Sequence, residues 1–177
     1  MTKYKTFETE RLIIKPTSER DAEFIYELLN TPKWIQYIGE RNIKTIDIAN
    51  EYILNKMIPQ LERLGYSNYT MIRKSDNVKI GTCGLYDRDG LEGIDIGFAL
   101  LPEYENKGYA FESTDKLKDA AFDEFKLSEI NAITTKDNIS SKKLLEKLGL
   151  KQIGTTKVPN DEEELLLYNL KRIDWLE

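Results

Sequence analysis

Apolar positions along the chain change period several times, and the changes mark out its elements. Arg11–Lys15 reads as a short strand closed by Pro16. Ser18 followed by Asp21 is a capping-box pattern, and behind it Phe24, Ile25, Leu28 and Leu29 share one helical face, with Thr31-Pro32 as the stop. Within 45–64, Ile46, Ala49, Ile53 and Met57 keep helical spacing; Pro59 is expected to kink or restart that helix and Gly65 to cap it. The period then falls to two. Ser67–Arg73 and Val78–Tyr86 read as strands about the turn Ser75-Asp76-Asn77, and Leu91–Leu101 as a third strand after the turn Asp87–Gly90. In that third strand Ile94, Ile96 and Phe98 alternate with Asp95, Gly97 and Ala99. A helix runs from near Gly108 to Phe125, with Ala110, Thr114, Leu117, Ala121 and Phe125 on one face. Ile130–Thr135 is a strand, Ile139–Leu148 a helix stopped by Gly149, and Lys151–Lys157 with Glu164–Leu170 a closing strand pair. This order predicts a mixed α/β sheet, not the strict alternation of a doubly wound fold. No repeat, low-complexity tract or linker divides it, so 1–177 reads as one domain.

Composition narrows the chemistry. The 26 basic and 31 acidic residues leave a net charge of −5, which argues against direct nucleic-acid binding. No apolar run approaches the roughly 20 residues of a membrane helix, and the N-terminal residues lack the apolar core of a signal peptide. A cytoplasmic protein without membrane partners is expected. There is no histidine, which excludes Ser-His-Asp triads, HExxH zinc sites and histidine proton shuttles. The single cysteine, Cys83, excludes an internal disulfide or a CxxC pair, and no metal site is expected. Chemistry is left to carboxylates, hydroxyls, backbone amides or a bound cofactor.

Two strand-to-helix junctions are candidates. In Pro102–Ala110, the small residues Gly108 and Ala110 sit where a helix begins, its first N–H groups lack intrahelical partners, and Lys107 adds a charge; a phosphate fits there, as does a turn without a ligand. In Thr134–Ser141, Asp137 or Asn138 reads as an N-cap.

Together the junctions say more. Asp95–Glu112 closely resembles the acyl-CoA-binding core of the GNAT superfamily of N-acetyltransferases, and Asn138-Ile139-Ser140-Ser141 with Leu144–Leu150 resembles its closing motif. Thr9–Pro16 and Tyr37-Ile38-Gly39 are similar to the branch that includes ribosomal-protein alanine N-acetyltransferases. The resemblance implies an α+β fold: a mixed, mostly antiparallel sheet of about seven strands, splayed in the middle and flanked by about four helices. It implies acetyl transfer from acetyl-CoA, as cosubstrate, to a primary amine on a protein N-terminus or small molecule, by direct attack in a ternary complex. The alternative is a non-catalytic acyl-CoA-binding or regulatory module on the same fold. A monomer or a homodimer fits either.

The resemblance also assigns residues. Pantetheine is expected along Phe98, Ala99 and Leu100, the pyrophosphate on Asn106, Lys107, Gly108, Tyr109 and Ala110, and Asn138 beside the pantetheine. Lys142 and Lys143 are candidates for the nucleotide phosphate or a solvated helix face. Two positions depart from the family pattern. Glu105 stands where the phosphate loop usually has Gln or Arg, and it is expected to face solvent or pair with Lys107. Leu145 stands where many members carry a tyrosine acid, and Ser141, one turn earlier on the same face, is the replacement hydroxyl or simply a helix-start residue. With no histidine, the acceptor's proton leaves to Asp95, Glu92, Glu40 or water, Asp95 otherwise being a salt-bridged or solvent-facing residue. Trp34 and Tyr37, with Tyr52 and Tyr69, line the acceptor pocket or belong to the core. Cys83 reads as a core residue rather than a nucleophile.

Overall fold

The period-two segments become strands in the computed structural model, which describes residues 3–177. They are β1 (Phe7–Glu8), β2 (Leu12–Pro16), β3 (Asn68–Arg73), β4 (Val78–Asp87), β5 (Ile94–Leu100), β6 (Glu129–Thr134), β7 (Lys151–Thr156) and β8 (Leu165–Lys171). They form one sheet in the order β1-β2-β3-β4-β5-β6-β8-β7. Every pairing is antiparallel except β5–β6, which are parallel and meet at a single register pair, Asp95↔Asn131. Asn131 secures that junction from both sides: its Nδ2 donates to Glu92 O at 2.9 Å, and its Oδ1 accepts from Asn169 Nδ2 at 2.8 Å. Beyond it β5 and β6 separate, which is the expected splay.

The helices are α1 (Ala22–Leu29), α2 (Pro32–Tyr37), α3 (Ile46–Tyr52), α4 (Ile58–Leu64), α5 (Tyr109–Asp123), α6 (Ile139–Lys147) and the single turn α7 (Arg172–Trp175). The strand beyond the expected seven is the two-residue β1, and more helices than the expected four result from local interruptions. Thr31-Pro32 ends α1 but also starts α2, because the Thr31 side chain accepts from Trp34 N and Pro32 takes the first helical position, where an N–H is dispensable. Ahead of Pro59 the chain widens into a π-helical turn, Ile53–Met57, in which Ile58 N donates five residues back to Ile53 O. Gly65 then caps α4 at a φ of +86°.

Burial drives two layers onto the sheet. On one face α5 and α6 cover Leu12, Ile14, Met71, Ile96 and Tyr168, with Leu117 and Phe122 of α5 packed among them. On the other, Ile25, Leu28, Ala49 and Ile53 of α1, α3 and the π turn gather around Leu101. The alternation in β5 assigns Ile96 and Phe98 to the first layer and Ala99 and Leu101 to the second.

Candidate active site

Backbone phase decides what the splay exposes. Leu101 N donates to Ile80 O at 2.9 Å. With Thr82↔Ala99 and Gly84↔Gly97 in register, Ala99 and Gly97 share that phase and bond toward β4. The backbone groups of Phe98 and Leu100 therefore point the other way, into the gap beyond Asp95↔Asn131, where no ladder partner is present among the described residues. An extended amide chain entering the gap meets an open strand edge there.

The chain leaves β5 through a one-turn 3₁₀ segment, Pro102–Tyr104, and enters α5 by way of Asn106 at a φ of +57° and Gly108 at +84°. Gly108 is the N-cap of α5, and no side chain caps that end, so the first-turn amides are left for another acceptor. The loop is braced from the β1–β2 turn: Arg11 Nη1 donates to Lys107 O at 2.9 Å, its guanidinium stacks 4.2 Å from the Tyr109 ring, and its Nε donates to Glu112 Oε2 at 2.7 Å. Glu112 also accepts from Thr9 Oγ1 and Arg11 N, at 2.6 and 2.9 Å. Partial burial works to raise the Glu112 carboxyl, but these bonds outweigh it and hold the group below the ordinary glutamate range.

Glu105 corrects the expectation. It forms an ion pair with Lys33 of α2, while Lys107 Nζ donates to Glu103 O at 2.7 Å. The contact is possible because α2 is a separate helix lying against the loop, an arrangement that a helix ending at Thr31-Pro32 does not include.

Asp95 lies on the face opposite Ile94 and Ile96, as alternation implies, yet it is 1% exposed. Arg88, half-buried at the start of the β4–β5 turn, holds it: Nε and Nη2 each donate at 3.2 Å, one to each carboxylate oxygen. Burial raises the Asp95 carboxyl above the ordinary range, and Arg88 offsets part of the rise. Beside the pair, the Tyr86 ring lies over the register partners Gly84 and Gly97, where a Cβ at Gly84 would run into the ring and one at Gly97 would come within 3.1 Å of it. Tyr86 Oη donates to Asn68 Oδ1 at 2.6 Å, and Asn68 Nδ2 to Thr17 Oγ1 at 2.8 Å, which continues the polar surface across the sheet. Glu92 is exposed, and Glu40 turns onto its own loop by accepting from Asn42 N at 2.9 Å.

At the second junction Asn138 is the N-cap of α6, its Oδ1 accepting from Ser141 N at 3.2 Å, and its Nδ2 has no partner among the described residues. Ser141 and Leu145 are the two buried residues of α6 and share its inner face; Leu145 is part of the core. Lys142 is half-buried and Lys143 exposed, while Lys147 lies 3.9 Å from the Phe111 ring. Trp34 and Tyr37 are half-buried on α2, and the Trp34 Nε1 donor is buried without a partner among the described residues. Tyr69 is fully enclosed against Phe7, 5.8 Å between centroids, so it belongs to the core. Cys83 is enclosed as well, and burial pushes its thiol up to about 12.

The profile of the acetyltransferase (GNAT) domain matches residues 11–151. The chain belongs to the GNAT acetyltransferase family. An uncharacterized N-acetyltransferase of Bacillus licheniformis, p20, is 30% identical over 152 residues, covering 85% of this chain and 84% of its own. A ribosomal-protein alanine acetyltransferase of Vibrio fischeri superposes with a TM-score of 0.80 at 21% identity, covering 97% of this chain and 98% of its own. A ribosomal α-N-protein acetyltransferase in complex with coenzyme A superposes at 0.82 and 13% identity, with 96% and 99% covered. Three residues of this acetyltransferase carry no signal in the sequence reading: Arg88, Lys33 and Tyr86. Each acquires its partner through sheet register or helix docking, and only the paired glycines Gly84 and Gly97 hint that a large ring crosses the strands there. No helix of the described residues is long and apolar enough to cross a membrane.

Proposed function

We propose that this acetyltransferase moves an acetyl group from acetyl-CoA to a primary amine, on a protein N-terminus or a small molecule, by direct attack within a ternary complex. The observation that carries the reading is one continuous segment, β5–loop–α5, which presents an open strand edge at Phe98 and Leu100 and an uncapped helix start at Gly108. These two features suit the amide-bearing arm and the diphosphate of coenzyme A, so the residues fit the group. When bound, the coenzyme supplies an activated thioester.

The chain's own residues do the rest. Phe98 and Leu100 hold the arm by backbone bonds, with Ala99 between them, and one of their amides faces the thioester carbonyl. Asn106, Lys107, Gly108, Tyr109 and Ala110 cradle the diphosphate, and Asn138 Nδ2 reaches the arm from the other side. The Ser141 hydroxyl, on the buried face of α6, gives a proton to the departing sulfur. Asp95 takes the acceptor's proton, directly or through water; the rise in its proton affinity on burial makes it a better base at neutral pH than an exposed carboxylate. An α-amine, with a pKa of about 7.7–8.0, presents far less of this task than a lysine-like amine at about 10.4. Trp34 and Tyr37 border the acceptor. The neighbours acting on ribosomal proteins support a protein N-terminus, and the chain's acidic balance supports a cationic acceptor.

Incubation with acetyl-CoA and a panel of α-amine peptides and small amines, followed by free thiol release, tests the reading. Turnover on at least one class is expected. Coenzyme binding without turnover across the panel would leave a binding module, and absence of binding would overturn the assignment.

A further inference from the structure

The phosphate loop of this chain has a charge problem. Glu105 lies immediately before Asn106 and three residues before the uncapped helix start, so its carboxylate and a bound diphosphate compete for the same small region. Repulsion between them is strengthened because the Glu105 side chain is only 20% exposed. The cations of the neighbourhood are committed elsewhere: Arg11 to Glu112 and Lys107 O, Lys107 to Glu103 O, and Arg73 to Asp76. Among the described residues, Lys33 alone meets Glu105. Its ammonium has three donors, and its side chain is 57% exposed, so the contact with Glu105 leaves donors facing outward.

We propose that Glu105 recruits Lys33 from α2 into the coenzyme site, where its ammonium neutralises the loop carboxylate and presents a cation to the diphosphate. The inference rests on the acetyl-CoA reading above. In this chain the loop's positive character is supplied by a helix distant in sequence rather than by residue 105 itself. Because α2 also carries Trp34 and Tyr37, the diphosphate and the acceptor side share a structural element.

The test is calorimetric titration of coenzyme A into the wild-type protein and into Lys33→Ala, Lys33→Arg, Glu105→Gln and the Lys33→Ala/Glu105→Gln double variant. Lys33→Ala is expected to weaken binding about tenfold, because it leaves an uncompensated carboxylate at the loop. Lys33→Arg retains binding, and Glu105→Gln binds as tightly as wild type or more so. The double variant recovers most of the affinity lost in Lys33→Ala, a rescue that a purely architectural role for Lys33 does not produce. Wild-type affinity in Lys33→Ala, or failure of Glu105→Gln to rescue it, overturns the proposal while the coenzyme reading stands. Absence of binding by the wild-type protein overturns both.

Discussion

Asp95 shows how a single side chain acquires its chemistry from its surroundings. A carboxylate 1% exposed is costly unless paired, and Arg88 pairs it through both oxygens. Burial raises its pKa, so as pH falls the group takes up its proton earlier than an ordinary aspartate; with Asp95 as the proposed base, the rate is expected to decline with it. Asp95→Asn is expected to lower kcat about a hundredfold with coenzyme affinity retained, and to remove that acid limb from the pH–rate profile; an unchanged limb assigns the base elsewhere. Cys83 makes the opposite case. With its thiol pushed up to about 12 and enclosed among β-strands, it is a poor nucleophile. Cys83→Ala should therefore keep its transfer activity, and mass spectrometry of the wild-type protein mixed with acetyl-CoA alone should find no acetylated thiol. The position of Asp95 on the face away from Ile94 and Ile96 was legible in the alternation of the strand. Its partner was not, because Arg88 reaches it only through the β4–β5 turn and the Tyr86↔Asp95 register.

Among the elements, the start of α5 concentrates most of the site. Its length and buried stripe follow from helical periodicity, and Gly108 marks its start in the sequence and in the structure alike. What periodicity cannot show is the brace from the β1–β2 turn, where Arg11 and Thr9 close on Glu112 across about a hundred residues of chain. Glu112→Gln should cost about 2 kcal/mol, which for a chain of this size lowers the thermal midpoint by roughly 4–8 °C. The carboxyl is held below its ordinary range, so its contribution is present above the unfolded-state value and is lost as pH falls through the lowered one. The variant should accordingly lose part of the acid dependence seen in wild-type melting, and melting curves between pH 3 and 7, taken at steps of about one unit, check this. α2 was hidden for a different reason: Thr31-Pro32 is a stop signal and a start signal at once, and only the Thr31 cap on Trp34 distinguishes them.

At the scale of the molecule, the order of elements follows from the sequence pattern and the splayed sheet from the family resemblance, while the added strand is the two-residue β1. The sheet has one weak line. Within β1–β5 and within β6–β8 neighbouring strands pair along ladders broken only by register shifts at Met71/Ile72 and Gln152/Gly154, but the two groups join at one parallel register pair. A ligand whose amides occupy the gap supplies bonds the two halves do not make to each other. At a concentration of about 100 times its Kd, coenzyme A should add about 2.7 kcal/mol and raise the thermal midpoint by roughly 5–10 °C. Titration followed by scanning calorimetry measures it; a midpoint indifferent to the coenzyme removes the ligand from the gap.

That single junction also sets how the molecule bears load. A pull applied between Phe7 on one outer strand and Lys171 near the other end of the sheet runs across the seam instead of along either ladder. With only the Asp95↔Asn131 pair to hold it, the seam is expected to open before either ladder. With coenzyme A in the gap, as proposed, the force needed to part the two halves is expected to rise, and to fall again once the coenzyme leaves.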